Sequence, residues 1–160
     1  MSLSHHAGPP PTLPPPVAQW SSRTLIDTKD DLVDAVVAAL RERNWVDGDG
    51  ETWARLCFEE AITNAMLHGN QGDPDLQVEI SLHQDGDRWI VLVKDAGDGF
   101  DPASLQTVPD DDDMNALLRE HGRGIPLMRE WLDELTWYDH GASVFLARHL
   151  DLYDHNTAET

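Results

Sequence analysis

The sequence predicts a two-layer α/β (α+β) sandwich: one mixed sheet with helices packed on one face. Two observations carry this. The first is the order of segments: a strand, two helices, two strands, a long irregular stretch, a helix and two strands. The second is the change of period along the chain. "LQVEISLH" alternates apolar and polar residues, whereas the stretches before it repeat at helical spacing. Length and composition agree with this. The chain has 160 residues, about one domain, and is 40% hydrophobic with six tryptophans, enough for a core.

The elements follow in order. Residues 1–18 read "MSLSHHAGPPPTLPPPVA" and hold six of the ten prolines. This predicts a disordered or extended tail, leaving a domain over 19–152 and a second tail over 153–160. His5 and His6 alone do not make a metal site. "WSSRTLI" (20–26) reads as the first strand. Asp27 or Thr28 is the expected helix cap, with Asp31 completing a capping-box variant. Leu32, Val36, Val37, Ala39 and Leu40 form the apolar stripe of that helix. A loop over 44–50 leads to a second helix over about 51–67, with Trp53, Leu56, Cys57, Ala61 and Ala65 expected to face the core. Gly69 is the expected stop.

The alternating strand then turns at Asp85-Gly86 into "RWIVLVKDA", whose nearly continuous apolar character suits a central strand. Residues 97–122 are irregular, a length that usually signals function or disorder. A helix begins near Ile125. "ELTWYD" and "SVFLARHL" close the chain as a hairpin turning at His140-Gly141. The tryptophans read as core or interface packing.

The formal net charge is −19. Nucleic-acid binding needs a basic footprint, so it is excluded, and an anionic membrane surface is disfavoured. A basic protein partner and simple solubility are both compatible with the acidity. No apolar run approaches the roughly 20 residues of a membrane span, and the N-terminus lacks a signal peptide's apolar run. Cys57 is the single cysteine, so no intrachain disulfide forms and a reducing cytoplasm fits. It reads as a small buried apolar residue. The remaining histidines share no ligand spacing.

Three polar clusters break the core pattern. In "EEAITNAMLHGN", Glu60, Asn64 and His68 recur every four residues and so share one helix face. That stripe is either an exposed polar face or a site in which a carboxylate acts as base and an amide oxygen ligates a hard cation. In "DAGDGF", Asp95 follows the most apolar strand and can accept hydrogen bonds from an exocyclic amine. Gly97 and Gly99 permit positive φ and close approach to a flat ligand. An ordinary strand-ending turn is the alternative. In "HGRGIPLM", Gly122, Arg123 and Gly124 precede a helix whose free N–H groups and dipole can cradle phosphate. Arg123 either contacts phosphate or faces solvent. No GxxxxGK[ST] occurs, so this is not a P-loop.

Order and spacing join the three. The combination resembles the GHKL ATPase superfamily, or Bergerat fold. "EAITNAMLHGN" is similar to its N box, "DAGDGF" to its first glycine box and "GRGIPLM" to its second. The short single domain, the "NAxxHG" ending and the "GRGIPLM" form resemble the anti-sigma factor serine-protein kinases. The resemblance spans about 20–150.

It implies ATP and Mg2+ as cofactors, with Glu60 as catalytic base and Asn64 holding the metal. It further implies that Asp95 reads the adenine amino group, that Gly97 and Gly99 line the adenine pocket, and that Gly122, Arg123 and Gly124 close a lid over the phosphates. His68 and Gly69 match the motif, His68 in either a structural or a ligand-contacting role. The implied partners are a STAS-domain anti-anti-sigma protein as substrate and a sigma factor as competitor, and a homodimer is implied too.

The chain departs from the family pattern where a "GT" turn is usual. There the resemblance implies a hydroxyl that supports adenine binding through water; here Ala142 and Ser143 stand, and either Ser143 substitutes or that contact is absent. The lid also carries an acidic run, Asp110 to Asp113, and Arg119-Glu120 stands where relatives often have an arginine next to the second glycine box. The alternative functions are a non-catalytic, nucleotide-dependent switch module that binds a partner, and the ATP-binding fragment of a histidine kinase.

Overall fold

The computed structural model of the protein describes residues 4–99 and 124–150. The strands are β1 (Ser4–His5), β2 (Ala18–Arg23), β3 (Gln77–Asp85), β4 (Arg88–Lys94), β5 (Glu134–Tyr138) and β6 (Ser143–His149). The helices are α1 (Lys29–Glu42), α2 (Gly48–Asn64) and α3 (Gly124–Trp131). One six-stranded sheet runs in the order β1-β5-β6-β4-β3-β2. β1 pairs parallel to β5, and every other neighbouring pair is antiparallel. The mixed sheet with its helices is the α/β sandwich that the pattern predicts.

The sheet alternation explains the core. Val78, Ile80 and Leu82 of β3, with Trp89, Val91 and Val93 of β4, join the helices in one cluster. Ile90 of β4 faces the other way and packs with Phe145 and Ala147 of β6 in a second, smaller cluster. β4 is therefore buried on both faces, which is why its sequence is almost unbroken in apolar character.

All five predicted stripe residues of α1 are buried, and Val33 joins them. Thr28 occupies the N-cap position without capping. Its hydroxyl donates instead to the Leu25 carbonyl at 2.7 Å, closing a 3-10 turn over Ile26–Thr28. The first strand ends at Arg23, three residues before the predicted Ile26, and Leu25 and Ile26 lie exposed.

α2 begins at Gly48 rather than near residue 51, because Asp47 is an N-cap whose carboxylate accepts from the Gly50 N–H at 2.8 Å. Leu56, expected in the core, is 40% exposed. The buried face is Ala54, Cys57, Phe58, Ala61 and Ile62, a 3.6-residue stripe from which Leu56 stands well away. Burial pushes the Cys57 thiol up to about 12, so it is an inert core residue.

The N-terminal segment takes the extended form of the predicted tail. It is not loose over residues 4–17. β1 adds to the β5 edge, Leu13 packs on the Ile90–Phe145–Ala147 cluster, and the Val17 N–H donates to Leu82. The segment crosses the sheet from one edge to the other. Periodicity gave no signal for this because polyproline-rich chain forms no ladder of its own.

Candidate functional site

The site forms where α2, the ends of β3 and β4, and the β5–β6 turn converge. α2 does not run on as an α-helix. After Asn64 the backbone widens into a π turn over Ala65–Gly69, closed by the Asn70 N–H donating to the Ala65 carbonyl at 2.8 Å. π turns cluster at functional sites. The π turn lies between Asn64 and His68, so the winding there is wider than the α-helical winding that Glu60 and Asn64 share. Glu60 and His68 are both half-buried. The helical run ends at Gly69, as the sequence predicts, and the chain then turns away through Gln71 (φ 52°) and Gly72 (φ 72°), the Gly72 N–H donating to the Met66 carbonyl.

Gly69 has another purpose. A Cβ there would overlap the Asp95 carboxylate, and a Cβ at Gly97 would overlap the Gly69 carbonyl oxygen. The Gly69 backbone thus lies against both the Asp95 carboxylate and the Gly97 backbone, at distances only glycine permits. Gly97 thus serves close approach at ordinary φ, whereas Gly99 takes φ 97°.

Asp95 is 5% exposed. Its Oδ1 accepts from the Gly97 N–H at 2.9 Å, and its own N–H donates to the Ala142 carbonyl at 2.8 Å. Burial pushes its carboxyl up to about 6, against the lowering effect of the Gly97 bond.

Asn70 is the residue that sequence reasoning missed. It is 1% exposed. Its Nδ2 donates to Thr24 Oγ1 at 2.7 Å and to the Gln77 carbonyl at 3.1 Å, while its Oδ1 accepts from the Ala96 N–H at 2.8 Å. It therefore fastens the residue after Asp95 to the ends of α2, β2 and β3. An asparagine next to the "HG" ending was the only available hint.

Asn64 contrasts with it. It is 3% exposed, and among the described residues neither its Oδ1 nor its Nδ2 has a hydrogen-bond partner. A buried unpartnered amide is costly, and native structures keep few of them. It opens on a narrow pocket lined also by Ala61, Val93, Met128, Trp137 and Gly141. Val93 lies on β4 two residues before Asp95, Gly141 adjoins the Ala142 that holds Asp95, and Met128 belongs to α3. The helix opened by Gly124, the N-box helix and the Asp95 strand thus border one space. The chemistry fits a hard cation and a nucleotide: an amide oxygen without a partner, and a glycine-stacked carboxylate.

Ser143 is fully buried, and its hydroxyl donates to the Asp139 carboxylate at 2.7 Å. Its hydroxyl proton is committed within the β5–β6 turn, which is where its "GAS" setting places it. Gly122, Arg123 and the Asp110–Asp113 run lie outside the described residues. Among the described residues no cluster of His, Cys, Asp and Glu could hold a metal ion by itself. No described helix is long and apolar enough to cross a membrane.

Residues 24–147 match the histidine kinase-like ATPase domain, and the chain belongs to that family. Within it the chain is an anti-sigma-kinase-like domain of the GHKL type. It is 30% identical over 105 residues to an anti-sigma F factor of Anoxybacillus flavithermus, covering 64% of this chain and 71% of that protein. An anti-sigma F factor of Halalkalibacterium halodurans is 31% identical with the same coverage. The serine-protein kinase RsbW of Staphylococcus aureus is 28% identical over 103 residues, covering 61% of this chain and 64% of that protein.

Proposed function

We propose that the protein is a cytoplasmic, ATP- and Mg2+-dependent serine/threonine-protein kinase. It phosphorylates a STAS-type anti-anti-sigma partner and, in competition with it, sequesters a sigma factor as a homodimer. The observation that carries this reading is Asn64: a buried amide without a partner, one helical turn from Glu60, opening on the space beside the Asp95 strand. The names of the relatives support the choice of partners.

In this reading Asp95 accepts a hydrogen bond from the adenine amino group, held in place by Gly97, Ala142 and the stacking on Gly69. Asn64 holds Mg2+, which when bound spreads the charge of the triphosphate. Glu60 orients the partner's hydroxyl and takes its proton. The hydroxyl oxygen bonds to the γ-phosphorus as the β–γ bridge breaks, and ADP leaves. Gly122, Arg123 and Gly124 close over the phosphates, and Ser143 supports the base side. His68 lies beside the site at the π turn.

The test uses purified protein, labelled ATP, Mg2+ and the cognate STAS partner. Label should pass to the partner, and Glu60→Ala should slow transfer by about 10²–10⁴-fold, the usual worth of a positioned base. Absence of transfer, or transfer indifferent to Glu60→Ala, defeats the proposal. Nucleotide-dependent partner binding without transfer would assign the switch function in its place.

A further inference from the structure

The N-terminal segment has no counterpart among the three nucleotide motifs, yet it reaches the same site. Its residues brace the β5–β6 turn. The Asp139 N–H donates to the Gly8 carbonyl at 2.8 Å, and the His140 N–H to the His6 carbonyl at 3.3 Å. The His6 N–H in turn donates to Trp137 at 2.9 Å, and the His6 ring stacks on Tyr138 with centroids 5.2 Å apart. Farther along, the Pro14 carbonyl lies 2.7 Å from His83 Nδ1, and Leu13 packs on the cluster of Ile90, Phe145 and Ala147.

The turn so braced needs holding. Asp139, His140 and Gly141 take φ 54°, 57° and 95° in succession. Non-glycine residues persist in that region only when their surroundings over-determine it. The turn also touches the nucleotide site at two points. Ala142 accepts the Asp95 N–H, and a Cβ on Gly99 would strike His140.

From these contacts we infer that residues 4–8 are a positioning element for nucleotide recognition: they hold the Asp139–Gly141 turn, which holds Asp95 and Gly99 in register for the base. Residues 9–17 anchor that element by crossing the outer face of the sheet. The inference rests on the nucleotide reading of Asp95, but its physical link stands in the protein alone.

Three variants test it. Deletion of residues 2–8 removes both bracing carbonyls and leaves Leu13 and Pro14 in place. His6→Ala removes the ring stack, and His6→Phe keeps it. Calorimetry should show the deletion weakening ATP binding about tenfold, on the scale of one or two lost hydrogen bonds. The ratio of ATP to GTP affinity should fall with it, because the base end is what loosens. His6→Ala should have a smaller effect in the same direction, restored by His6→Phe. A general loss of stability would not change base selectivity.

Amide exchange on the nucleotide-free proteins supplies the independent arm. Protection should fall at Asp95 and over 139–142 in the deletion variant and stay unchanged in α1. Unchanged exchange there overturns the inference, as does unchanged ATP/GTP selectivity in a wild type that binds ATP. A wild type that binds no nucleotide defeats the function proposed above, and the exchange result then decides the bracing role by itself.

Discussion

Asn64 and Asn70 stand six residues apart at one end of α2, and both are buried. Asn70 has three of the four hydrogen bonds its amide can make engaged in tying Thr24, Gln77 and Ala96 together. Asn64 has none engaged among the described residues. The two should respond oppositely to loss of the amide. Asn64→Leu removes an unpartnered polar group without leaving a cavity. It should raise unfolding free energy by about 1–2 kcal/mol while ATP binding is lost. Asn70→Ala strands the Ala96 N–H and should lower stability by about 1–3 kcal/mol. Urea unfolding and calorimetric titration of the two variants measure both effects.

Asp95 adds a pH dependence of unusual sign. Its carboxyl is raised from 3.8 to about 6 by burial. Between those values the folded protein holds more protons than the unfolded one, so this residue's contribution to stability falls as pH rises from about 4 to about 6. Asp95→Asn should abolish that slope in unfolding measured across the interval. ATP affinity of the wild type should weaken below about pH 6, as the carboxylate acceptor is protonated.

At the level of elements, β4 carries most of the architecture. Trp89 is fully buried, with its ring 6.1 Å from Phe58 and 6.0 Å from Trp131, so it joins α2, α3 and the sheet. Trp89→Ala should cost about 3–5 kcal/mol in unfolding free energy without touching the nucleotide groups. β4 was legible because burial on both faces leaves an unbroken apolar run. α2 was legible as a helix, with its start and the winding of its last turn misread. Its start depends on one side chain, Asp47, bonding three residues ahead. Its end depends on a π turn, which differs from an α turn by one residue of winding and leaves no mark on apolar periodicity. Leu56 was misread for a different reason: the expected stripe left out Ala54, Phe58 and Ile62, and these centre the buried face well away from Leu56.

For the whole molecule, a net charge of −19 sets a repulsive background that favours expansion. The melting temperature should therefore rise between about 0.01 M and about 0.15 M salt, as the screening length shortens from about 30 to about 8 Å. Binding of a basic partner should slow over the same range, and stopped-flow association rates would read that directly. A melting temperature that falls with salt would contradict this account of the charge.

Residue order alone was enough to determine the sandwich and the family, because both rest on near-neighbour spacing: period two, period 3.6, and glycines at fixed offsets from Asp95 and Arg123. Tertiary structure decided the rest, and every instance involves partners remote in the chain. Gly69 is needed because Asp95 lies against it. Asn70 matters because Ala96 and Thr24 reach it. The proline-rich segment is ordered over residues 4–17 because the outer face of the sheet and the Asp139–Gly141 turn offer it apolar surface and hydrogen bonds that no local pattern could announce.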